Sequence, residues 1–184
     1  MNPAKKLRIL AINGSTLTES SNKRVLEFLK EHHFKEDDFE IYSAIDTLPH
    51  FNPALDGESL PSEIKELRAA IKEADAVIFC SPEYVFSLPG SFKNTLDWLV
   101  STVLLSEKPC AMIIAAASGK KAFEQLELIL NTLQVKMIPS SQLLISGVKG
   151  KFDKNGQLTD EKLADSLNQL CESIKEISKK PRSI

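Results

Sequence analysis

An α/β fold is what this sequence predicts: a parallel sheet covered on both faces by helices. Three observations carry that expectation. Apolar runs without polar alternation recur, as at residues 76–80 and 110–117, and such strands are buried on both faces. Amphipathic helical segments alternate with them, as the crossovers of a parallel sheet require. The 184 residues suffice for one domain with a sizeable core.

The elements follow in order. Residues 7–13, Leu-Arg-Ile-Leu-Ala-Ile-Asn, read as the first strand and run into Gly14-Ser15. The start of the chain is basic, but the apolar segment behind it is too short for a signal peptide. Residues 22–34 read as a helix with Val25, Phe28 and Leu29 on one face. Residues 39–43 form a short strand. Residues 44–60 are a long loop, marked by Leu48-Pro49, Asn52-Pro53 and Asp56-Gly57. Pro61 suits the first turn of a helix continuing through Ile64, Leu67 and Ile71. Residues 75–80 are the third strand. Residues 91–105 read as a helix with apolar positions at 92, 96, 99, 100, 103 and 104. Residues 110–117 are the fourth strand and 121–133 the next helix. The fifth strand is either 135–138 or, after Pro139, 142–146. Residues 160–177 are the last helix, and Lys179-Lys180-Pro181-Arg182 reads as a frayed, solvated tail. No repeat, linker or boundary divides the chain.

This alternation fits a doubly wound three-layer sandwich, and the flavodoxin-like strand order 2-1-3-4-5 is our choice. The first turn argues against the dinucleotide-binding variant. Gly14-Ser15-Thr16-Leu17-Thr18-Glu19-Ser20-Ser21-Asn22 has neither G-x-G-x-x-G nor the G-K-[ST] of a P-loop. A net charge of −2 gives no electrostatic reason to expect nucleic acid or an anionic membrane as partner. No apolar run approaches the roughly 20 residues that span a bilayer. Cys80, Cys110 and Cys171 lack metal-like spacing and cannot all pair. They read as small core residues of a reduced, cytoplasmic protein. His32 and His33 sit in a charged stretch and His50 stands alone, so no metal site is expected.

Two loops carry the functional signal. After the first strand, Ser15, Thr16, Thr18, Ser20, Ser21 and Asn22 precede a helix. A helix start offers unpaired N–H groups and partial positive charge, and added hydroxyls make it suit a terminal phosphate. Simple capping by Ser20, Ser21 or Asn22 is the other reading, and the two are compatible. After the third strand comes Ser81-Pro82-Glu83-Tyr84-Val85-Phe86-Ser87-Leu88-Pro89-Gly90-Ser91-Phe92-Lys93-Asn94-Thr95-Leu96-Asp97-Trp98. It leaves the carboxyl end of a strand, where open α/β sheets bind ligands, and is more elaborate than a plain connection.

These two stretches resemble the NAD(P)H-dependent FMN reductase family, which includes chromate, quinone and azo-dye reductases of flavodoxin-like fold. The likeness lies in Asn13-Gly14-Ser15…Ser20-x-Asn22 and in the P-E-Y, P-G and K-N-x-x-D-W elements at 82–84, 89–90 and 93–98. It reaches from the first strand to about residue 145. It implies one FMN-binding domain over residues 1–184, with NAD(P)H as co-substrate. Ser15, Ser20 and Asn22, with Thr16 and Ser21, match the phosphate loop. Pro82, Glu83 and Tyr84, followed by Val85, match the loop along the isoalloxazine ring. Ala117, Ser118, Gly119 and Lys120 stand at the third flavin loop.

The implied chemistry is hydride transfer from nicotinamide to flavin N5, then to a small acceptor such as a quinone, azo compound, flavin or metal oxyanion. The flavin carries that reaction, so no catalytic side chain and no metal is expected. N–H groups near Ser118 and Gly119 would stabilise negative charge on the reduced ring. Lys120 either adds to that or is a solvated lysine at a helix start. Tyr84 either faces the flavin or packs over its loop. Glu83 is either a surface charge or, as in related reductases, a subunit contact. Asn94 and Asp97 are expected to hold loop backbone. Phe92, Trp98 and Leu99 are expected in the core or an interface. A homodimer or homotetramer follows from the surplus apolar residues after Ser91. The sequence departs from the family at Leu17, often Arg; at Val85, commonly Asn; and at Lys120-Lys121, usually glycine-richer. Those departures keep open a binding protein of the same fold without enzymatic activity. A flavodoxin-like electron carrier is the other alternative, for which a net charge of −2 is small, since carriers use acidic surfaces to meet redox partners.

Overall fold

The structure, a computed structural model, describes residues 6–179. The expected tail beyond Lys179 lies outside them. β1 (Arg8–Asn13), β2 (Asp38–Tyr42), β3 (Ala76–Ser81), β4 (Cys110–Ala116) and β5 (Gln142–Ser146) form one parallel sheet in the order β2-β1-β3-β4-β5. That is the order expected. α1 (Ser21–His32) and α5 (Glu161–Ser178) cover one face; α2 (Ser62–Glu73), α3 (Gly90–Asp97) and α4 (Lys120–Thr132) cover the other.

The uniform apolar runs are explained by the two layers. Every residue of β3 and β4 is buried. Successive strand side chains point to opposite faces. Ile9, Ile78 and Ile113 pack with Val25, Leu29 and Leu167, while Leu10, Phe79 and Met112 pack with Ile64, Leu67 and Leu126. Each such side chain contributes about 1.5–3 kcal/mol by leaving water. The edge strands β2 and β5 are only partly buried.

The register brings the carboxyl ends of the strands level. Asn13 sits opposite Cys80, Ser81 opposite Ile114 and Ala116 opposite Ser146. The loops after β1, β3, β4 and β5 therefore leave from one edge of the sheet. Gly14 is where two of them touch. A Cβ there would meet Ser81 Oγ at 2.8 Å and Phe92 at 3.0 Å, so only glycine lets the first loop pass this close to the third.

Two expectations need correction, and the open choice of the fifth strand is decided. The helix foreseen to residue 105 ends at Asp97. The Trp98 carbonyl accepts from Arg68 Nε at 3.1 Å, and the chain continues in tight turns closed by Leu99 N–H to Leu96 O and Thr102 N–H to Leu99 O. Those turns bury Leu99 and Leu105 but expose Val100 and Val103, so the apolar spacing belongs to turns and not to a helical stripe. The fifth strand is 142–146; Lys136 makes only an isolated bridge with Pro109. The first helix begins at Ser21, one residue early, and Phe28 is only partly buried on it.

Candidate functional site

At the carboxyl edge of the sheet lies a cavity of about 570 Å³. Its walls come from four loops: Ser15 to Asn22, Pro82 to Tyr84, Ala115 to Ala117, and Gly147 to Lys149. A larger recess, about 720 Å³, runs between α1 and residues 154–158. It lies away from the strand ends, where open α/β sheets bind ligands, so the smaller cavity is the candidate site.

The first wall is the start of α1. Ser20 takes the extended N-cap conformation, and its Oγ accepts from Lys23 N–H at 3.1 Å. The capping reading of Ser20 is thus realised. Ser20 O accepts from Arg24 N–H, which leaves the N–H groups of Ser21 and Asn22 pointing out of the helix start. Ser15 is 3% exposed and donates its N–H to Asn13 Oδ1, while its Oγ accepts from Leu17 N–H. The Asn22 amide is engaged in the fold. Its Nδ2 donates to Ala115 O at 3.2 Å, and its Oδ1 accepts from the Cys80 thiol at 3.4 Å. That leaves Asn22 its backbone N–H to offer the cavity. Burial pushes the Cys80 thiol far above its ordinary range, so it stays protonated and inert.

The second wall is the loop after β3. Glu83 reaches across to the start of α4. Its Oε1 accepts from Gly119 N–H, and its Oε2 from Lys121 N–H and Ala122 N–H, each at 3.0 Å. The Ala122 N–H most of all, then those of Gly119 and Lys121, hold this carboxyl below its ordinary value. Glu83 is therefore the cap of a helix 36 residues further on. Beyond it Tyr84 and Ser87 exchange both backbone hydrogen bonds, at 2.9 and 3.0 Å. The two residues between, Val85 (φ +50°) and Phe86 (φ +56°), both lie in the left-handed region. Such a two-residue turn favours Asn and Gly, and a β-branched residue in it is strained. Ser87 Oγ and Leu88 N–H both meet Gln125 Oε1, so α4 grips the turn on each side. Gly119 has φ +87°, and a Cβ there would strike Leu144 at 2.7 Å and Ile114 at 2.8 Å.

The chain matches the NADPH-dependent FMN reductase family over residues 7–150. It belongs to that family. Its relatives bear this out. NADH:(hydroxy)cinnamate reductase subunit CrdA of Vibrio ruber is 34% identical over 171 residues, covering 89% of this chain and 83% of that one. NADH-dependent flavin reductase subunit 2 of Lactobacillus johnsonii is 30% identical, covering 88% and 92%. Among solved structures, FerB, a flavoenzyme NAD(P)H:(acceptor) oxidoreductase of Paracoccus denitrificans, superposes with a TM-score of 0.79 at 25% identity, covering 94% of this chain and 97% of that one. This family member is an NAD(P)H-dependent oxidoreductase whose cofactor is FMN.

Of the expected site residues, the enzyme brings together Ser15, Ser20, Ser21, Asn22, Pro82, Glu83 and Tyr84 on one cavity. Thr16, Val85, Ser118, Gly119 and Lys120 do not line it. The Gly119 N–H, expected to face the ring, is taken by Glu83. From the third loop it is Ala117 that lines the cavity. Asn94 does hold loop backbone, accepting from Phe51 N–H and donating to Pro49 O. Asp97 does not; it pairs with Lys93. Trp98 and Phe92 are fully buried, with the indole N–H on Pro49 O. The residues missed are Glu19, then Ala115 and Ala116 at the end of β4, and Gly147, Val148 and Lys149 after β5. The strand-end rule would have found the last three, had the fifth strand been fixed.

Among the described residues no helix is long and apolar enough to cross a membrane, and no cluster of metal-ligating side chains occurs. The three cysteines are all buried.

Proposed function

We propose that the cavity at the carboxyl edge of the sheet holds the FMN, with its phosphate at the start of α1 and its ring against residues 82–84 and 115–117. The observation that carries this is the cavity's two chemically different ends. One end has hydroxyls and the open N–H groups of Ser21 and Asn22, suited to an anion. The other has Pro82, half-exposed Tyr84 and the small Ala115, Ala116 and Ala117, which leave room for a flat ring. Bound there, FMN would supply the hydride chemistry between NAD(P)H and the acceptor. The side chains bind and orient. Ser15 and Ser20 shape the phosphate end, and Glu83 fixes the ring loop against α4 so that Tyr84 stays over the cavity.

The mouth favours a small aromatic acceptor, a quinone or azo compound before a metal oxyanion. Leu17, Tyr84, Val85 and Phe86 are all exposed apolar side chains on the two loops that flank it. Exposed Val100 and Val103 support a homodimer, whose formation light scattering on the purified protein decides. Three cysteines buried as small core residues fit a single cytoplasmic domain.

The test is an absorption spectrum of protein mixed with FMN and desalted, followed by NADH and NADPH oxidation with a quinone. Retained flavin bands and acceptor-dependent oxidation are expected. Retained flavin without turnover would favour an electron carrier, and loss of all flavin would sink the reading.

A further inference from the structure

We propose that Lys149 is the charge partner of the FMN phosphate, an assignment that rests on the flavin reading above. A phosphate monoester brings up to two negative charges into the cavity. Taking such charge from water needs a partner that desolvation does not cancel. The charged residues lining the cavity are Glu19, Glu83 and Lys149. Glu83 is acidic and already holds three N–H groups of α4. Glu19 is acidic too, so Lys149 is the one cation among the described lining residues. It has no ion pair and no hydrogen-bonded side-chain partner among the described residues, unlike Lys23, Lys93, Lys121, Lys151 and Lys175.

The backbone carries Lys149 toward the start of α1. Asn22, in the first turn of α1, grips Ala115 O, which sets that helix end over the end of β4. The loop after β5 is tied to the same strand end, because Gly147 N–H donates to Ala117 O at 3.1 Å. Val148 is 4% exposed and packs in the core layer beneath α1 and α5. A single turn then closes, with Gly150 N–H on Gly147 O and Lys151 N–H on Val148 O, each at 3.1 Å. So the Lys149 backbone is fixed, while its side chain is free to extend along the cavity wall.

The sequence offered Lys120 either as a charge beside the reduced flavin ring or as a solvated lysine at a helix start, and offered no cation for the phosphate. Lys120 stands outside the cavity, while Lys149 lines it.

The test is a pair of titrations, FMN and riboflavin, followed by flavin fluorescence in the wild type, Lys149→Met and Lys72→Met. Methionine keeps the apolar stem of lysine and removes the charge. Lys72 is exposed on α2, so its variant reports a change in net charge alone. Losing a hydrogen bond to a charged group weakens FMN binding on the order of tenfold to a hundredfold in Lys149→Met. Riboflavin, which has no phosphate, keeps its affinity, and Lys72→Met behaves as wild type. Rising salt narrows the gap between wild type and Lys149→Met for FMN. Unchanged FMN affinity would overturn the assignment. So would an equal loss for both flavins, which would put Lys149 on the ring. A loss in Lys72→Met matching that in Lys149→Met would overturn it as well, as an effect of overall charge. A wild type that binds riboflavin and FMN equally would remove the phosphate site, and one that binds neither would remove the flavin reading itself.

Discussion

Two helices begin at the same edge of the sheet, and their first turns are treated in opposite ways. α1 is capped locally by Ser20, has no acidic residue in its first turn, and leaves two N–H groups open to the cavity. α4 follows a glycine that supplies no side chain, and a carboxylate from a distant loop takes three of its N–H groups. Both ends carry partial positive charge. At α4 that charge is answered inside the protein, so the helix end serves as a joint. At α1 two N–H groups stay open to the cavity. On the proposed reading this difference gives the cavity a direction, anion toward α1 and ring toward Glu83.

The joint at α4 also accounts for the strained turn beside it. Val85 and Phe86 both have positive φ, a costly arrangement unless its surroundings impose it. Glu83 fixes one side of the turn to α4 and Gln125 fixes the other. The strain places two apolar side chains, 95% and 73% exposed, at the tip. Removing the joint should therefore release both the helix end and the tip.

Glu83→Ala is the substitution with the largest expected effect. It strands the N–H groups of Gly119, Lys121 and Ala122, and water reaching the helix end limits the cost to about 2 kcal/mol. Thermal unfolding should occur several degrees lower, with faster amide exchange at 119–122. If exchange there stays slow, the joint is not what holds α4. Val85→Gly works in the other direction. It removes a β-branched residue from the left-handed region and should stabilise the protein by about 1 kcal/mol against denaturant. A destabilised Val85→Gly would mean that the tip is not strained. Ser20→Ala should cost about 1 kcal/mol by uncapping α1. Added FMN should recover part of that loss, since a ligand bound to the folded state stabilises it.

The smallest effect is in pH. The folded Glu83 carboxyl titrates below its ordinary value of 4.5. Its contribution is complete above that value and is lost as pH falls through the lower, folded one. The stability gap between wild type and Glu83→Gln should be constant near neutrality and shrink below about pH 4.5. A gap that widens on acidification would mean that the carboxylate is not the capping form.

Much of this was legible in the sequence, for definite reasons. Doubly buried strands such as 76–81 show themselves as unbroken apolar runs, and the alternation with helices restricts the order of the sheet. The first loop was legible as a helix start because its hydroxyls suit a cap or an anion, and Ser20 is the cap. The end of α3 was not, because Leu99 and Leu105 bury equally well from turns, and the choice lies with Arg68, which is far away in sequence. Glu83 as a cap could not be read locally, since its partners lie 36 to 39 residues on. Lys149 was missed because two segments competed for the fifth strand, and the loop after it had no address.

The central claim is the direction of the ligand in the cavity. A crystal structure of the protein soaked with FMN tests it most directly. The account predicts the phosphate against the N–H groups of Ser21 and Asn22, with Glu83 still on the start of α4. A phosphate at the start of α4, with Glu83 displaced from Gly119 and Ala122, would contradict it.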